Sequence, residues 1–170
     1  AVHLLGHCCG DLPGHGVAGL LDRVDLMAEA TGLRRGPQMM RLADRHEVAV
    51  GVYSVRLIPD EPMPDVVPGT FLDLLPGGLH VLRRPLSVAD ADDEGYTVIF
   101  RVVGKGTDRL SVELIGAEIN VLGPLGRGFD LDAVQPGGRA LLIGGGVGIP
   151  PLHLLGRRLV ARGVRVQFRL

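Results

Sequence analysis

Cysteine is scarce in this sequence. Cys8 and Cys9 are the two cysteines among 170 residues. Because neighbouring cysteines form only a strained mutual disulfide, a disulfide framework is excluded and a reducing, cytoplasmic setting is expected. Histidines stand nearby at His3, His7 and His15, but the group matches no CxxC or HExxH spacing. We therefore predict no metal site.

A charge excess of either sign is also lacking. The 18 basic side chains balance 19 acidic ones, for a net charge of -1, which removes the electrostatic argument for a nucleic-acid or anionic membrane partner. The apolar runs are far shorter than the roughly 18 residues that span a bilayer. The N-terminus shows no basic stretch followed by an apolar core, so no signal peptide is predicted.

Glycine and proline, in contrast, are abundant, with 26 and 12 residues. Such a composition is typical of short strands joined by tight turns. An extended segment begins near His46, and further strands are predicted at residues 70–75, 80–88, 96–103 and 118–122. A brief helix is predicted at 108–115, with Thr107 as its N-cap. Strands at this spacing indicate a small antiparallel barrel or sandwich.

The pattern changes after Pro136. A strand at 139–143, a glycine loop, a helix at 152–162 and a strand at 164–170 form one strand-helix-strand unit. Towards the other end, residues 17–33 show helical spacing. We therefore divide the chain into an N-terminal extension of uncertain structure (1–45), a barrel domain (46–137) and an incomplete α/β domain (138–170).

Three motifs are candidates for ligand binding. The first is the segment RRPLS, in which Arg84 offers a planar fork of donors suited to phosphate and Ser87 can donate to a ring nitrogen or carbonyl. Proline removes an amide that a central strand would use. The alternative interpretation is an edge strand that carries a solvated arginine pair.

The second motif, VVGKGT, runs from a strand through a glycine turn into the brief helix. Gly106 would let the backbone approach a phosphate closely, and the hydroxyl of Thr107 could add a hydrogen bond. The GxxxxGK[ST] spacing of a Walker loop is absent. An ordinary capped helix after a hairpin turn is an equally good interpretation.

The third motif is GGGVGIPP, which lies between a strand and a helix, as a nucleotide-phosphate loop requires. The third glycine of GxGxxG is missing, and no acidic residue follows about 20 positions later to hold a ribose. It is therefore not a standard Rossmann fingerprint. A purely structural glycine turn remains the alternative.

In their order and spacing, RRPLSVAD, FRVVGKGT, VLGPLGRGF and LLIGGGVGIPPL resemble the ferredoxin-NADP reductase superfamily. Within it they are most similar to the family of electron transfer subunits of NAD-dependent (class B) dihydroorotate dehydrogenases. The resemblance covers roughly residues 47–170. It implies a six-stranded antiparallel FAD-binding β-barrel followed by a nicotinamide-binding α/β domain.

The resemblance also implies roles for individual residues. Arg84, Pro85, Leu86 and Ser87 match an RPxS element, in which the arginine contacts the FAD pyrophosphate and the serine lies beside the isoalloxazine. Further residues match flavin-lining and phosphate-binding positions: Ile99, Phe100, Arg101, Gly106 and Thr107.

The glycine loop matches the start of the nicotinamide-nucleotide site through Gly144, Gly145, Gly146 and Gly148. The implied function is oxidoreductase electron transfer between NAD(H), FAD and a [2Fe-2S] cluster. No residue is assigned a catalytic role, because the cofactors carry the chemistry.

The implied partner is an FMN-containing dihydroorotate dehydrogenase catalytic subunit of pyrimidine biosynthesis, joined in a hetero-oligomer. The family holds its cluster with four cysteines near the C-terminus, and this sequence has none after Cys9. Two alternatives remain: the flavin subunit of an NAD(P)H:ferredoxin oxidoreductase, or a noncatalytic barrel module without redox chemistry.

Overall fold

The structure is a computed structural model that describes residues 36–61, 65–77 and 82–170. All of these residues fall within one compact unit, which runs from Arg34 to Leu170. The predicted helix at 17–33 and the histidine and cysteine group lie outside the described residues. No helix of the described residues is long and apolar enough to cross a membrane.

Six strands close into an antiparallel barrel in the order β1-β2-β5-β4-β3-β6. Their bounds are β1 Gln38–Ala49, β2 Val52–Pro59, β3 Phe71–Leu75, β4 Arg84–Ala91, β5 Tyr96–Arg101 and β6 Glu118–Leu125. The barrel closes where β1 pairs with β6, with Met40 opposite Ile119. The expectation of a six-stranded antiparallel barrel is confirmed.

Alternation along the strands fills the barrel interior. On β3, Leu72 and Leu74 are buried while Phe71, Asp73 and Leu75 are only half-buried, which is the two-residue period of a sheet with one buried face. The other strands contribute residues of the same kind to this core: Met40, Leu42, Val55, Leu57, Val88, Tyr96, Val98, Phe100, Ile119 and Val121.

The start of the barrel differs from the sequence prediction in two ways. The first strand begins at Gln38 rather than near residue 46, so part of the predicted N-terminal extension belongs to the barrel. The single extended segment predicted to begin near His46 is part of a hairpin, in which Ala49 pairs with Val52. Gly51 has a φ of 66°, which lets the chain reverse there. The two-residue alternation of apolar residues continues through the tight turn, so the alternation alone could not show where the turn lies.

The brief helix, α1, spans Lys105–Ser111 and so begins three residues earlier than predicted. Gly104, not Thr107, is its N-cap residue. The Thr107 hydroxyl instead reaches back and accepts hydrogen bonds from the amides of Val103 and Gly104, at 3.0 and 3.3 Å. It stabilises the helix start from the third helical position, as in the second half of a capping box.

The last part of the chain confirms the predicted strand-helix-strand unit. β7 (Arg139–Ile143) and β8 (Arg165–Arg169) are parallel neighbours, connected through α2 (Pro150–Ala161). The helix begins at Pro150 rather than at residue 152, because proline suits the first helical turn. Leu154 of α2 packs into the barrel core, whereas Leu155 and Leu159 pack against the β7–β8 sheet. The helix therefore contacts both layers. The predicted domain division at residue 137 stays a prediction.

Candidate functional site

Arg84 and Gly106 meet at one edge of the barrel. Arg84 begins β4, and Gly106 is the second residue of α1. A Cβ at Gly106 would lie 2.7 Å from the Cζ of the Arg84 guanidinium, which is closer than two nonbonded carbon atoms can approach without a steric clash. Because only glycine leaves room for this side chain, the structure joins two sequence motifs that were predicted separately.

The Arg84 guanidinium retains unused hydrogen-bonding capacity. Its Nη1 donates to the carbonyl oxygens of Leu82 and Arg83, at 3.2 and 2.9 Å. Among the described residues it forms no ion pair with a carboxylate. A half-buried cation with several free N–H groups is suited to binding an anion such as phosphate.

The neighbouring arginine is used differently. Nη1 of Arg83 donates to the carbonyl oxygen of Asp73 at 2.9 Å, and its Nη2 donates to the side chain of Asn120. Arg83 therefore ties together neighbouring parts of the barrel wall. The alternative of an edge strand does not describe the structure, because β4 pairs with both β3 and β5 in the closed barrel.

Next to Arg84 lies a cavity of about 350 Å³, here called the strand cavity. Its walls are the start of β4, the end of β5 and the turn before α1. The lining residues are Arg84, Pro85, Leu86, Ser87, Ile99, Phe100, Arg101, Val103, Thr107 and Val147. The structure thus brings together eight of the predicted flavin-site residues, and the ninth, Gly106, lies beneath Arg84.

A second cavity of about 360 Å³, the loop cavity, lies between the barrel and the glycine loop. Both cavities are bordered by Ile99, Phe100, Arg101 and Val147, so they are adjacent and share a wall. The two cavities together are here called the cleft. The remaining residues that line the loop cavity are Val48, Val52, Gly146, Ile149, Pro150 and His153. Apart from Arg101 and His153, these side chains are apolar, which suits a planar aromatic ligand.

The predicted loop glycines have different environments. Gly146 lines the loop cavity and has a φ of 54°, a conformation that favours glycine. A Cβ at Gly144 would lie 2.7 Å from Leu152, so this glycine permits close packing within the α/β unit. Gly145 and Gly148 are exposed and line neither cavity. The loop borders the cleft through Gly146 together with Val147, Ile149 and Pro150.

Several residues of the cleft escaped the sequence analysis. Val147 borders both cavities, and Val103 borders the strand cavity, although both are strongly exposed valines that no pattern singled out. His153 lines the loop cavity and was not among the predicted site residues. Its position, four residues after the loop's Ile149, was the available signal, because the start of a helix that follows a glycine loop faces the same cleft.

Positive charge is concentrated at the cleft. Arg101 lines both cavities and is exposed, and among the described residues it has neither a hydrogen-bond partner nor a carboxylate within ion-pair distance. Together with Arg84 it supplies two uncompensated cations to one cleft. Such a surface favours a ligand that is anionic at one end and aromatic at the other.

No protein-family model matches the chain. It is 42% identical over 132 residues to the dihydroorotate dehydrogenase B (NAD(+)) electron transfer subunit of Lysinibacillus sphaericus, covering 75% of this chain and 51% of the relative. The corresponding subunit of Shouchella clausii is 41% identical, covering 79% of this chain and 53% of the relative. The chain thus spans about half the length of these relatives.

Solved structures show the same architecture. An NADH-dependent reduced ferredoxin-NADP oxidoreductase structure superimposes with a TM-score of 0.68 and 28% identity, covering 76% of this chain and 46% of the other. Phthalate dioxygenase reductase gives a TM-score of 0.65 and 25% identity, covering 79% and 43%. The chain is therefore a homologue of electron transfer subunits, with a ferredoxin reductase-like fold.

Proposed function

We propose that this chain binds FAD in the cleft and acts as a flavin-bearing part of a dihydroorotate dehydrogenase electron transfer subunit. The observation that carries the proposal is the contact between Arg84 and Gly106. It leaves a guanidinium that has no carboxylate partner among the described residues at the mouth of a cavity lined by the RPLS and IFR segments. Homology to electron transfer subunits supports the same conclusion.

The residues present fit the two chemical parts of FAD. Arg84 and the turn at Gly106 and Thr107 would hold the pyrophosphate, because a free guanidinium donates strongly to phosphate oxygens. Ile99 and Phe100 would lie along the isoalloxazine, for which the apolar wall of the cleft is suited. When bound, the flavin supplies the capacity to accept a hydride and release electrons singly. The protein binds and orients it and excludes water.

The proposal assigns the nicotinamide nucleotide to the loop side of the cleft. Gly146 and Val147 face the region that also borders Ile99 and Phe100, where a nicotinamide ring would approach the flavin. NAD(H) is thus the proposed electron donor or acceptor. This assignment rests on the family resemblance and on the position of the loop.

The [2Fe-2S] cluster does not fit the residues of this sequence. Four cysteine thiolates are required, and the sequence contains two, which are adjacent. We therefore assign no step of electron transfer in this chain to a cluster. The proposed partner is the FMN-containing catalytic subunit of dihydroorotate dehydrogenase.

A titration of the purified full chain with FAD tests the proposed function. We expect tight binding of one FAD per chain, with flavin absorption bands that persist after desalting. A chain that binds no FAD, even after unfolding and refolding with the cofactor, would contradict both redox hypotheses and favour the noncatalytic barrel module. The matched ligand control is riboflavin, which lacks phosphate and should bind much more weakly.

One alternative function has specific support. The ferredoxin-NADP oxidoreductase structure superimposes well on this chain, which favours the flavin subunit of an NAD(P)H:ferredoxin oxidoreductase as the second candidate. Sedimentation of the FAD-loaded chain with a dihydroorotate dehydrogenase catalytic subunit, and separately with a ferredoxin, distinguishes the two. Complex formation with the catalytic subunit but not with the ferredoxin supports the first function.

A further inference from the structure

His153 connects the glycine-loop side of the cleft to the barrel. It lies in the first turn of α2, and its ring borders the loop cavity. Its Nδ1 is 3.1 Å from the carbonyl oxygen of Ala89 on β4. Because a carbonyl oxygen only accepts hydrogen bonds, Nδ1 carries the hydrogen and donates it.

This hydrogen bond links two segments that both border the cleft. Ala89 follows Ser87 on β4 by two residues, and Ser87 lines the strand cavity. His153 follows Ile149 and Pro150, which line the loop cavity. The position of the loop relative to the flavin-site strand therefore depends on how the first turn of α2 is attached to β4.

The glycines at the tip of the loop contribute little packing. Gly145, Gly146 and Gly148 are exposed, and a Cβ at any of them would meet no neighbouring atom. Ile149, the N-cap residue of α2, provides no side-chain cap. Leu154, the residue after His153, is buried in the barrel core. The burial of Pro150, the hydrogen bond from His153 and the packing of Leu154 thus hold the end of the loop.

A second polar contact on the same helix has a different position. Arg157 forms an ion pair with Asp90, but the Arg157 side chain is 54% exposed and it lines neither cavity of the cleft. Exposed ion pairs contribute little to stability. Arg157 is therefore a natural control for His153, since it joins α2 to β4 one turn further along.

We propose that His153 is a positioning residue that holds residues 144–150 as a wall over the bound flavin ring. The inference rests on the proposed function, because the wall closes over the FAD assigned to the cleft. Arg84, the proposed phosphate contact, lies on β4 and is not part of this wall. Loss of the His153 hydrogen bond should therefore loosen the loop over the ring while FAD remains bound.

Hydrogen exchange, followed by mass spectrometry with and without FAD, tests this inference. In the wild-type chain, FAD should slow amide exchange both in the strand segments 84–91 and 96–101 and in the loop 144–149. In His153→Ala, FAD should still protect the strand segments, but loop exchange should be about two- to tenfold faster, the equivalent of one net hydrogen bond.

Two further variants separate positioning from a general loss of stability. His153→Asn retains a side-chain N–H near the position of Nδ1, so it should restore loop protection if the hydrogen bond to Ala89 is what matters. Arg157→Ala should leave loop protection unchanged. Thermal melting of every variant shows that the barrel is folded.

The possible results have distinct meanings. If FAD protects the strand segments of the wild-type chain but not its loop, or if His153→Ala keeps full loop protection, the inference is wrong and the proposed function stands. If His153→Asn loses protection as completely as alanine, the hydrogen bond is not the cause. If FAD protects no segment of the wild-type chain, the proposed function itself fails.

Discussion

The guanidinium of Arg84 lies directly against the backbone of Gly106, although these residues are 22 positions apart in the chain. Neither β4 nor α1 alone makes this arrangement. It arises because the turn after β5 brings the start of α1 beside the start of β4, and because Gly106 has no side chain to prevent the approach. The contact fixes a cation at the mouth of the cleft.

Removing the Arg84 guanidinium should weaken FAD binding. We expect Arg84→Ala to raise the Kd for FAD about 10- to 150-fold, which corresponds to the 1.5–3 kcal/mol of a hydrogen bond to a charged group. Arg84→Lys should recover part of this loss, because lysine keeps the charge but lacks the fork of donors. Fluorescence titration measures all three affinities. An unchanged Kd in Arg84→Ala would exclude the assigned pyrophosphate contact.

Arg83 provides the matched control, since it is the adjacent arginine on the same segment. Its hydrogen bonds reach the Asp73 carbonyl and the Asn120 side chain, within the barrel wall. Arg83→Ala should therefore lower the free energy of unfolding by about 1–2 kcal/mol and leave the Kd for FAD nearly unchanged. Urea unfolding and FAD titration of the same preparation check both results. A large loss of FAD affinity would mean that Arg83 also contributes to binding the ligand.

Replacement of Gly106 tests the close approach itself. In Gly106→Ala the new Cβ would meet the Arg84 guanidinium at 2.7 Å from Cζ, so the arginine must move. We expect weaker FAD binding, by about tenfold, with little loss of stability, because Gly106 lies in a helix where alanine is favoured. The double variant with Arg84→Ala should show almost no additional loss, since the two changes act on one contact. Additive losses would indicate that Gly106 acts independently.

The sequence motifs predicted the composition of the site better than its geometry. RPLS and IFR occupy neighbouring strands that line one cavity, as expected from the resemblance. The prediction of Thr107 as an N-cap was wrong. A hydroxyl before a helix and one at its third position give the same sequence signal, and only the backbone path distinguishes them. The hydrogen bond of His153 could not be predicted, because its acceptor is a carbonyl 64 positions away and leaves no local pattern.

The hairpin between β4 and β5 should contribute a pH-dependent part of the stability. Hydrogen bonds from the Arg56 side chain and from the amides of Glu94 and Gly95 lower the pKa of the Asp92 carboxyl below its ordinary 3.8. Because the pKa is lowered in the folded state, this stabilisation is present above pH 3.8 and is lost as the pH falls through the lowered value.

Asp92→Asn should therefore destabilise the barrel by at most about 1 kcal/mol at neutral pH, since the side chain is largely exposed. The difference from the wild-type chain should shrink at acid pH. Urea unfolding at pH 7 and at pH 3 measures both free energies. A difference that stays constant would show that the charge of Asp92 does not contribute.

Tyr96 offers the opposite case, a polar group whose burial costs stability. Its side chain is fully buried in the barrel core, and its hydroxyl has no hydrogen-bond partner among the described residues. Burial raises the pKa of this hydroxyl above its ordinary value, so the group stays protonated and neutral at every pH at which the barrel is studied.

An unpaired hydroxyl in an apolar core is destabilising relative to a hydrogen atom at the same position. Tyr96→Phe should therefore raise the free energy of unfolding by about 1 kcal/mol, as measured by urea denaturation. FAD affinity should not change, because Tyr96 lines neither cavity of the cleft. A destabilised phenylalanine variant would show that the hydroxyl has a partner and that the core depends on it.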